Sequence, residues 1–334
     1  MQDLQDAKTL LRAHYDALDH ADPETIASTL ATRLSARCHW RGYHPFNEQT
    51  GPEAIAATFW HPLRRAFSHV QRREDIFFAG RNEIDGFNGI WVVSMGHLMG
   101  LFDAPFLSIP ATRKIAMLRY CEFSRVENGQ IVEQAMYCDL LHLMRQAGIV
   151  RFPDQTAMHL VQPGPRTHDG MVLEAQDPEC GKKTLHLIDR MIGAISDANS
   201  DPEAHTPRQE LLQDWHEDML WWGPEGIGAT YTIDRYIEQH QRPFRRTIDN
   251  RVFNGHAARL AEGTYGGFFG WPNLTVTNAA GFMGVPGSDT RIDMRVIDIY
   301  RRDGDKLAEN WVFIDMLYVL KMQGIDVLAE LSAS

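Results

Sequence analysis

The sequence predicts an α+β protein built from two tandem cone-shaped domains. Its 334 residues suit two cores of roughly 150 residues each better than a single core. One pattern occurs twice, ending at Gly148 and at Gly324: a turn, a strand-like run, one aspartate and a short apolar helix. In each half the helical patterns precede the strand patterns, which is typical of helices packed on a mostly antiparallel sheet. We therefore expect a curved sheet in each half, with helices across its open face and one internal pocket.

The first half begins with two helices. Apolar residues over positions 4–18 fall on one helical face, and Asp22 followed by Pro23 is expected to cap and begin the second helix. The elements predicted next are a strand over 35–41, a helix from 51 to about 67, and strands over 75–80, 89–101, 114–126 and 130–138.

The second half repeats this order after a connecting segment. Residues 151–183 are rich in proline and glycine and show little apolar periodicity, so we predict a linker there, between domains over 1–150 and 184–334. The second domain is expected to contain helices over 184–198, about 207–218 and 230–240, and strands near 219–223, 247–253, 256–269, 291–301 and 306–314.

Composition excludes several classes of function. The net charge of −11, without an offsetting basic patch, argues against nucleic-acid binding. The four cysteines show no CxxC spacing and the histidines lack ligand spacing, so we expect neither disulfides nor a metal site. No stretch approaches about 18 uninterrupted apolar residues and the N-terminus is polar, so we expect no membrane partner and a cytoplasmic protein.

Two motifs resemble a known family. The run Gly96-His97-Leu98-Met99-Gly100-Leu101-Phe102 and the spacing from Gly129 through Asp139 to Gly148 resemble the SnoaL-like polyketide cyclases, whose fold is nuclear-transport-factor-two-like. The resemblance extends over the chain in two tandem copies, with Ala135 and Thr264 departing from the family pattern. Because single-domain relatives commonly pair as homodimers, it implies an internal pseudo-dimer packed sheet against sheet; a further homo-oligomer stays open.

The resemblance also implies a catalytic role for one aspartate in each copy. In these cyclases the aspartate after the last strand is the proposed acid/base of an aldol condensation, and that role falls on Asp139 and Asp315. Their flanking residues are apolar, and an apolar pocket raises the pKa of a carboxyl toward neutrality. Each aspartate is alternatively the cap of the helix that follows it. His97 is the third candidate, either as a proton shuttle in the pocket or as a core histidine.

Aromatic side chains are expected to bind a flat apolar ligand. Period-two alternation places Glu309, Trp311, Phe313 and Asp315 on one strand face, and Trp311 is the strongest single candidate. The predicted substrate-binding residues are Trp40, Trp91, Tyr137, Trp222, Tyr265, Trp311 and Phe313. Charges in the penultimate strands, at Arg119, Arg295 and Asp298, are interpreted as solvent-exposed or ion-paired.

Together these features predict a lyase or isomerase that requires no cofactor. The substrate would be a hydrophobic, polyketide-like carbonyl compound, and an aspartate would abstract a proton for aldol cyclisation or isomerisation. Two alternatives stay open. One is hydration, dehydration or epoxide opening in the same pocket, and the other is a binding module without catalysis.

Overall fold

The computed structural model describes residues 1–152, 155–159, 161–200 and 206–333, in two compact units. Unit 1 contains Met1–Arg151, Thr167–Ala175 and Asp315–Ser334; unit 2 contains Phe152–Arg166 and Gln176–Ile314. Both units combine helices with one curved sheet, so the predicted α+β class is confirmed. Residues 153, 154 and 160 of the predicted linker lie outside the described residues.

The helices of the described chain are α1 (Gln2–His20), α2 (Ile26–Ala31), α3 (Pro52–Ile55), α4 (His61–Ala66), α5 (Leu140–Gln146), α6 (Pro178–Ser200), α7 (Pro207–Asp214), α8 (Ile233–Tyr236), α9 (Arg242–Thr247), α10 (Met316–Met322) and α11 (Val327–Ala333). A π-helical turn joins α3 to α4, over Ala56–Trp60, and another joins α8 to α9, over Ile237–Gln241. Such turns are rare and occur frequently at functional sites.

The sheet of unit 1 has the order β2-β1-β6-β5-β4-β3. Its strands are β1 (Leu34–Gly42), β2 (Asn47–Thr50), β3 (Phe67–Arg81), β4 (Ile90–Phe102), β5 (Ile115–Glu127) and β6 (Gln130–Cys138). Only the β1–β6 pair is parallel among these neighbours. Strand β3 starts eight residues before its predicted start, because it pairs with β4 as far back as Phe67 opposite Phe102, whose rings stack 4.6 Å apart.

The sheet of unit 2 follows the same connectivity. Its strands are β7 (Trp215–Trp222), β8 (Ala229–Tyr231), β9 (Ile248–Phe253), β10 (Ala258–Glu262), β11 (Tyr265–Asn278), β12 (Arg291–Asp303) and β13 (Lys306–Ile314). The order is β10-β11-β12-β13-β7-β8, with β9 also paired to β11. The β7–β13 pair is parallel, as β1–β6 is in unit 1.

Three local predictions are wrong. The strand expected over 256–269 is a hairpin of β10 and β11, because Gly263 adopts a left-handed turn with φ of +58°. The helix expected to reach 218 ends at Asp214, where β7 begins and pairs Trp215 with Leu307 of β13. Asp22 makes no side-chain cap; a short 3₁₀ turn over Pro23–Thr25 precedes α2 instead.

The compact units also differ from the predicted domain limits. Residues 167–175 lie with unit 1, where Phe77 pairs with Met171 and the ammonium of Lys8 donates to the carbonyl of Val172 over 3.0 Å. Asp315 and the helices after it also lie with unit 1, where the carboxylate of Asp315 accepts the backbone N–H of His44 over 2.9 Å. Contacts distant in sequence therefore decide where these segments pack.

Candidate acid–base sites on the inner faces of the two sheets

We call the helix-covered side of each sheet its inner face and the opposite side its outer face. In unit 1, Trp40 of β1 packs on Phe59 of the π-helical turn, with ring centroids 5.9 Å apart. In unit 2, Trp221 of β7 stacks on His240 of the matching turn at 4.1 Å. Trp40 pairs with Gln134 and Trp221 with Asn310, so these four residues define equivalent positions on the inner faces.

Both aspartates that follow the last strands are helix caps. Asp139 accepts the backbone N–H of His142 over 3.0 Å at the start of α5, and Asp315 accepts that of Tyr318 over 3.3 Å at the start of α10. The capping interpretation that the sequence left open is therefore correct for both residues. Capping by itself does not exclude a second role, and the predicted catalytic role stays a prediction.

The two aspartates belong to one buried cluster of unit 1. Burial raises the pKa of Tyr43 well above its usual range, and the neighbouring Tyr137, Asp315 and Asp139 raise it further. The rings of Tyr43 and Tyr137 stack at 4.2 Å. Burial also lowers the pKa of Arg119 to about 10, although the charge of Asp139 opposes this. The cluster thus places the buried guanidinium of Arg119 beside the Asp139 carboxylate.

His97 lies on the outer face of the same sheet, opposite Arg119 in the register of β4 and β5. Its Nδ1 is 3.5 Å from a carboxylate oxygen of Asp75, and its buried Nε2 has no hydrogen-bond partner. The structure therefore brings His97 to the same face as Tyr137 but supplies Asp75, which the sequence did not single out, as its closest acid.

Among the predicted substrate-binding residues, Trp40 lies on an inner face. The strand alternation that places Gln134 and Asn310 on the inner faces turns their odd-numbered neighbours outward. The residues on outer faces are Trp91, Tyr137, Trp222, Tyr265, Trp311 and Phe313. They do not line the space between sheet and helices; Trp311, for example, is fully buried and donates from Nε1 to the carbonyl of Pro163 over 2.9 Å.

A different carboxylate occupies the inner face of unit 1. Glu122 of β5 is buried, and its Oε1 accepts hydrogen bonds from the Tyr15 hydroxyl at 2.7 Å, from Ser124 at 3.1 Å and from Gln134 at 3.2 Å. The guanidinium of Arg72, from β3, lies close enough for Glu122 to influence it electrostatically. Glu122 is therefore a buried acid held by three donors and a neighbouring cation.

The corresponding carboxylate in unit 2 is Asp298 of β12. Asn310 donates to its Oδ1 over 3.2 Å, and Tyr300 also hydrogen-bonds it. Burial raises the pKa of Asp298 to about 6, against the opposing effect of these two hydrogen bonds. The residue is nevertheless only half-buried, so part of it remains accessible. Asp298 thus has a pKa near neutrality, which a general acid or base requires.

Aromatic rings and two neutral histidines also lie on the inner face of unit 2. Tyr300 contacts Trp215 and Phe268, with centroids 5.9 and 5.8 Å apart. His256 stacks on Phe268 at 3.9 Å, as His240 does on Trp221. Burial lowers the pKa of each histidine to about 3, so both rings are neutral at physiological pH. This face can pack a flat apolar molecule and offer it uncharged hydrogen-bonding groups.

The sequence contained a signal for this pair of acids that was interpreted differently. Glu122 and Asp298 precede the repeated aspartates Asp139 and Asp315 by the same number of residues. Gln134 and Asn310, like Ser124 and Tyr300, also occupy matching positions. From its position in the penultimate strand Asp298, like Arg295, is predicted to be exposed or ion-paired. Aligned strand by strand, however, the two copies carry a carboxylate, an amide and a hydroxyl at equal spacing.

Each unit has a mixed sheet with helices over one face. Residues 8–147 match the model of the family described as SnoaL-like polyketide cyclase. The match includes Glu122 and Asp139 of unit 1 and does not extend to Asp298.

Several solved structures resemble part of the chain at low identity. A SnoaL-like polyketide cyclase candidate from Jannaschia sp. CCS1 is 18% identical, covering 42% of this chain and 89% of its own, with a TM-score of 0.34. NTF2-like proteins from Burkholderia xenovorans LB400 and Burkholderia thailandensis E264 are 12% and 19% identical. They cover 42% of this chain and 96% and 95% of their own, with TM-scores of 0.34 and 0.32. No curated protein matches the sequence.

The structure adds one finding about the membrane. Among the helices of the described residues, none is long and apolar enough to cross a membrane.

Proposed function

We propose that the protein is an acid–base enzyme acting on a hydrophobic carbonyl compound, with Asp298 of unit 2 as the proton-transferring group. The observation that carries this proposal is the raised pKa of Asp298, about 6, on an accessible and aromatic inner face. An acid with that pKa is ionised at neutral pH and yet basic enough to accept a proton from carbon beside a carbonyl.

The proposed step is a proton transfer. The Asp298 carboxylate takes a proton from carbon next to the carbonyl, leaving an enolate whose charge rests on oxygen. In a substrate with a β,γ carbon–carbon double bond this enolate is a dienolate, and the protonated acid returns the proton at its γ-carbon, which completes an isomerisation to the conjugated product. Alternatively, the enolate carbon attacks a second carbonyl of the same molecule, which completes an aldol cyclisation when the new alkoxide is protonated.

Neighbouring residues support distinct parts of this step. Asn310 and Tyr300 hold the carboxylate through hydrogen bonds and act as positioning residues. Tyr236 of α8 lies within electrostatic reach of Asp298, and burial together with this charge raises its pKa, so its hydroxyl stays protonated and can donate to an enolate oxygen. The rings of Trp215, Phe268 and Trp221 would contact the apolar part of the substrate.

The aspartates predicted from the sequence remain a competing proposal for the same chemistry. Asp139 and Asp315 already bind the first turns of α5 and α10, and Asp315 also accepts the His44 N–H. Asp139 lies beside Arg119. Because the oxygens of both caps already accept backbone hydrogen bonds, we assign the proton transfer to Asp298 rather than to either cap, or to His97.

Solvent-deuterium exchange at C1 of 2-tetralone, a bicyclic apolar ketone, followed by proton NMR, tests the proposal. The wild-type chain should accelerate exchange with a rate that rises through pH about 6, as Asp298 ionises. Asp298→Asn should lower the enzymatic rate by roughly 10²–10⁴-fold, because it removes the base without changing shape. Glu122→Gln and Asp315→Asn serve as matched controls and should change the rate by no more than about threefold.

Two outcomes would reject the assignment. If Asp298→Asn exchanges as fast as the wild type, Asp298 is not the base; a loss in Asp315→Asn or Asp139→Asn instead would favour the caps. If the wild type gives no exchange with 2-tetralone, while the carboxyl signal of Asp298 titrates near pH 4 by carbon NMR, the acid–base proposal fails as a whole.

A further inference from the structure

An unusual arginine lies in unit 1. Arg72 of β3 is half-buried as a residue, but its three guanidinium nitrogens are buried, and none makes a hydrogen bond of ordinary length, although the Tyr120 hydroxyl interacts with the guanidinium. The guanidinium carbon lies 4.0 Å from the ring centroid of Tyr15, 4.9 Å from that of Tyr120 and 5.8 Å from that of Trp60. Stacking on rings stabilises the cation but leaves its donors, which lie in the guanidinium plane, unsatisfied.

A second unsatisfied group lies near this arginine. His14 of α1 is buried, and its Nδ1 has no hydrogen-bond partner. Burial and then the charge of Arg72 lower the pKa of His14 to about 3, which places its neutral ring within reach of the guanidinium. Buried polar groups without partners are uncommon, and two of them side by side indicate a place that a polar ligand completes.

The neighbouring acids are already occupied. Glu74 pairs with Arg12 and accepts the hydroxyl of Ser94 over 3.1 Å. Asp19 accepts the backbone N–H of Arg72 rather than its guanidinium. The Oε1 of Glu122 carries its three hydrogen bonds from Tyr15, Ser124 and Gln134. Glu122 and Asp19 therefore stabilise the charge of Arg72 electrostatically, without accepting hydrogen bonds from its guanidinium.

We propose that Arg72 is a binding site for the carboxylate of a planar apolar acid. A carboxylate matches the parallel N–H donors of a guanidinium, and the rings of Tyr15, Trp60 and Tyr120 suit a flat apolar group. Arg72 also lines a surface depression of 560 Å³ together with Asp19, His20, Val70, Gln71, Arg73 and Glu74, and a ligand would approach the guanidinium from there. The site lies in unit 1 and is independent of the acid–base function proposed for unit 2.

Isothermal titration of the full chain with 2-naphthoate and with the uncharged 2-naphthamide tests the site. The wild type should bind 2-naphthoate at least tenfold more tightly than 2-naphthamide. Arg72→Gln should lose this preference. Arg73→Gln is the matched control, because Arg73 is the next residue of β3 and is exposed; it should bind 2-naphthoate like the wild type. Asp298→Asn should also bind normally, since the site lies in the other unit.

Equal affinity of the wild type for the two probes, or unchanged 2-naphthoate binding by Arg72→Gln, would overturn the proposal. If circular dichroism shows that Arg72→Gln does not fold, Arg72→Lys decides. It keeps the charge but lacks the paired donors, so it should bind 2-naphthoate several-fold more weakly; wild-type affinity in this variant would count against a carboxylate held by the guanidinium.

Discussion

The inner faces of the two units carry the same trio of polar groups in different surroundings. Glu122, Ser124 and Gln134 in unit 1 match Asp298, Tyr300 and Asn310 in unit 2. Across the sheet, however, Arg72 lies opposite Leu98, whereas Phe253 lies opposite the matching Leu274. In unit 1 the carboxylate of Glu122 therefore has the guanidinium of Arg72 near it, whereas the corresponding position in unit 2 is occupied by the aromatic ring of Phe253.

The difference shows how one scaffold can hold a carboxylate for two purposes. In unit 1 a guanidinium compensates the buried charge, whereas in unit 2 burial without a neighbouring cation raises the pKa of Asp298 to about 6. The π-helical turns also differ between the units. Phe59 packs on Trp40 in unit 1, whereas a neutral histidine, His240, stacks on Trp221 in unit 2. Substitution at a few inner positions thus gives the two carboxylates different electrostatic surroundings.

The largest expected effect on stability comes from making unit 1 resemble unit 2. Arg72→Phe should lower the free energy of unfolding by about 3–5 kcal/mol at pH 7, because it leaves Glu122 buried without its cation. Urea unfolding followed by tryptophan fluorescence measures the loss. The double variant Arg72→Phe/Glu122→Gln should recover most of it. Equal losses in the single and double variants would show that Glu122 does not depend on Arg72.

An intermediate effect is expected at Asp298. Its pKa is higher in the folded chain, about 6, than the usual value of 3.8, so the folded state is penalised as pH rises through this interval and stays penalised above it. Asp298→Asn removes the penalty and should stabilise the chain by up to about 3 kcal/mol at pH 8, with no gain at pH 4 or below. Urea unfolding at pH 4, 6 and 8 measures this. A gain of equal size at all three values would contradict the raised pKa.

The smallest effects distinguish the two caps. Asp315→Ala should cost about 1 kcal/mol, while Asp315→Asn, whose side-chain oxygen can still cap α10, should cost only a few tenths. Asp139→Ala should cost more than Asp315→Ala, because Asp139 also neighbours the buried guanidinium of Arg119. Thermal unfolding by circular dichroism ranks the variants. The reverse order would mean that Arg119 does not rely on Asp139.

The predictions from sequence succeeded where the signal is local. The α+β class, the position of the last two strands of each half and the short helices after Asp139 and Asp315 follow from alternation, turns and caps within one stretch of chain. They failed at boundaries set by distant pairing, as at Phe67 and Trp215, where a partner strand extends the element. Local propensity contains no information about such partners.

The candidate site was harder to predict for a related reason. Alternation correctly grouped Glu309, Trp311 and Phe313 on one strand face, whereas Asp315 follows the end of the strand. It cannot show which face the helices cover. The helices of both units cover the other face, which carries Glu122 and Asp298. Trp40 was the one predicted aromatic residue on that side. The predicted period of two was therefore correct, but the face predicted to line the pocket is the outer face of the sheet.

The sequence by itself determined the duplicated pattern, the order of helices before strands and the pair of capping aspartates, since each depends on residues near one another in the chain. The tertiary structure alone decided that Arg72 and Tyr15 meet Glu122, that Tyr236 meets Asp298, and that Asp315 packs with unit 1. These residues are distant in sequence and come into contact only in the folded chain. The pKa of a carboxyl group depends on which charges, donors and rings surround it in space.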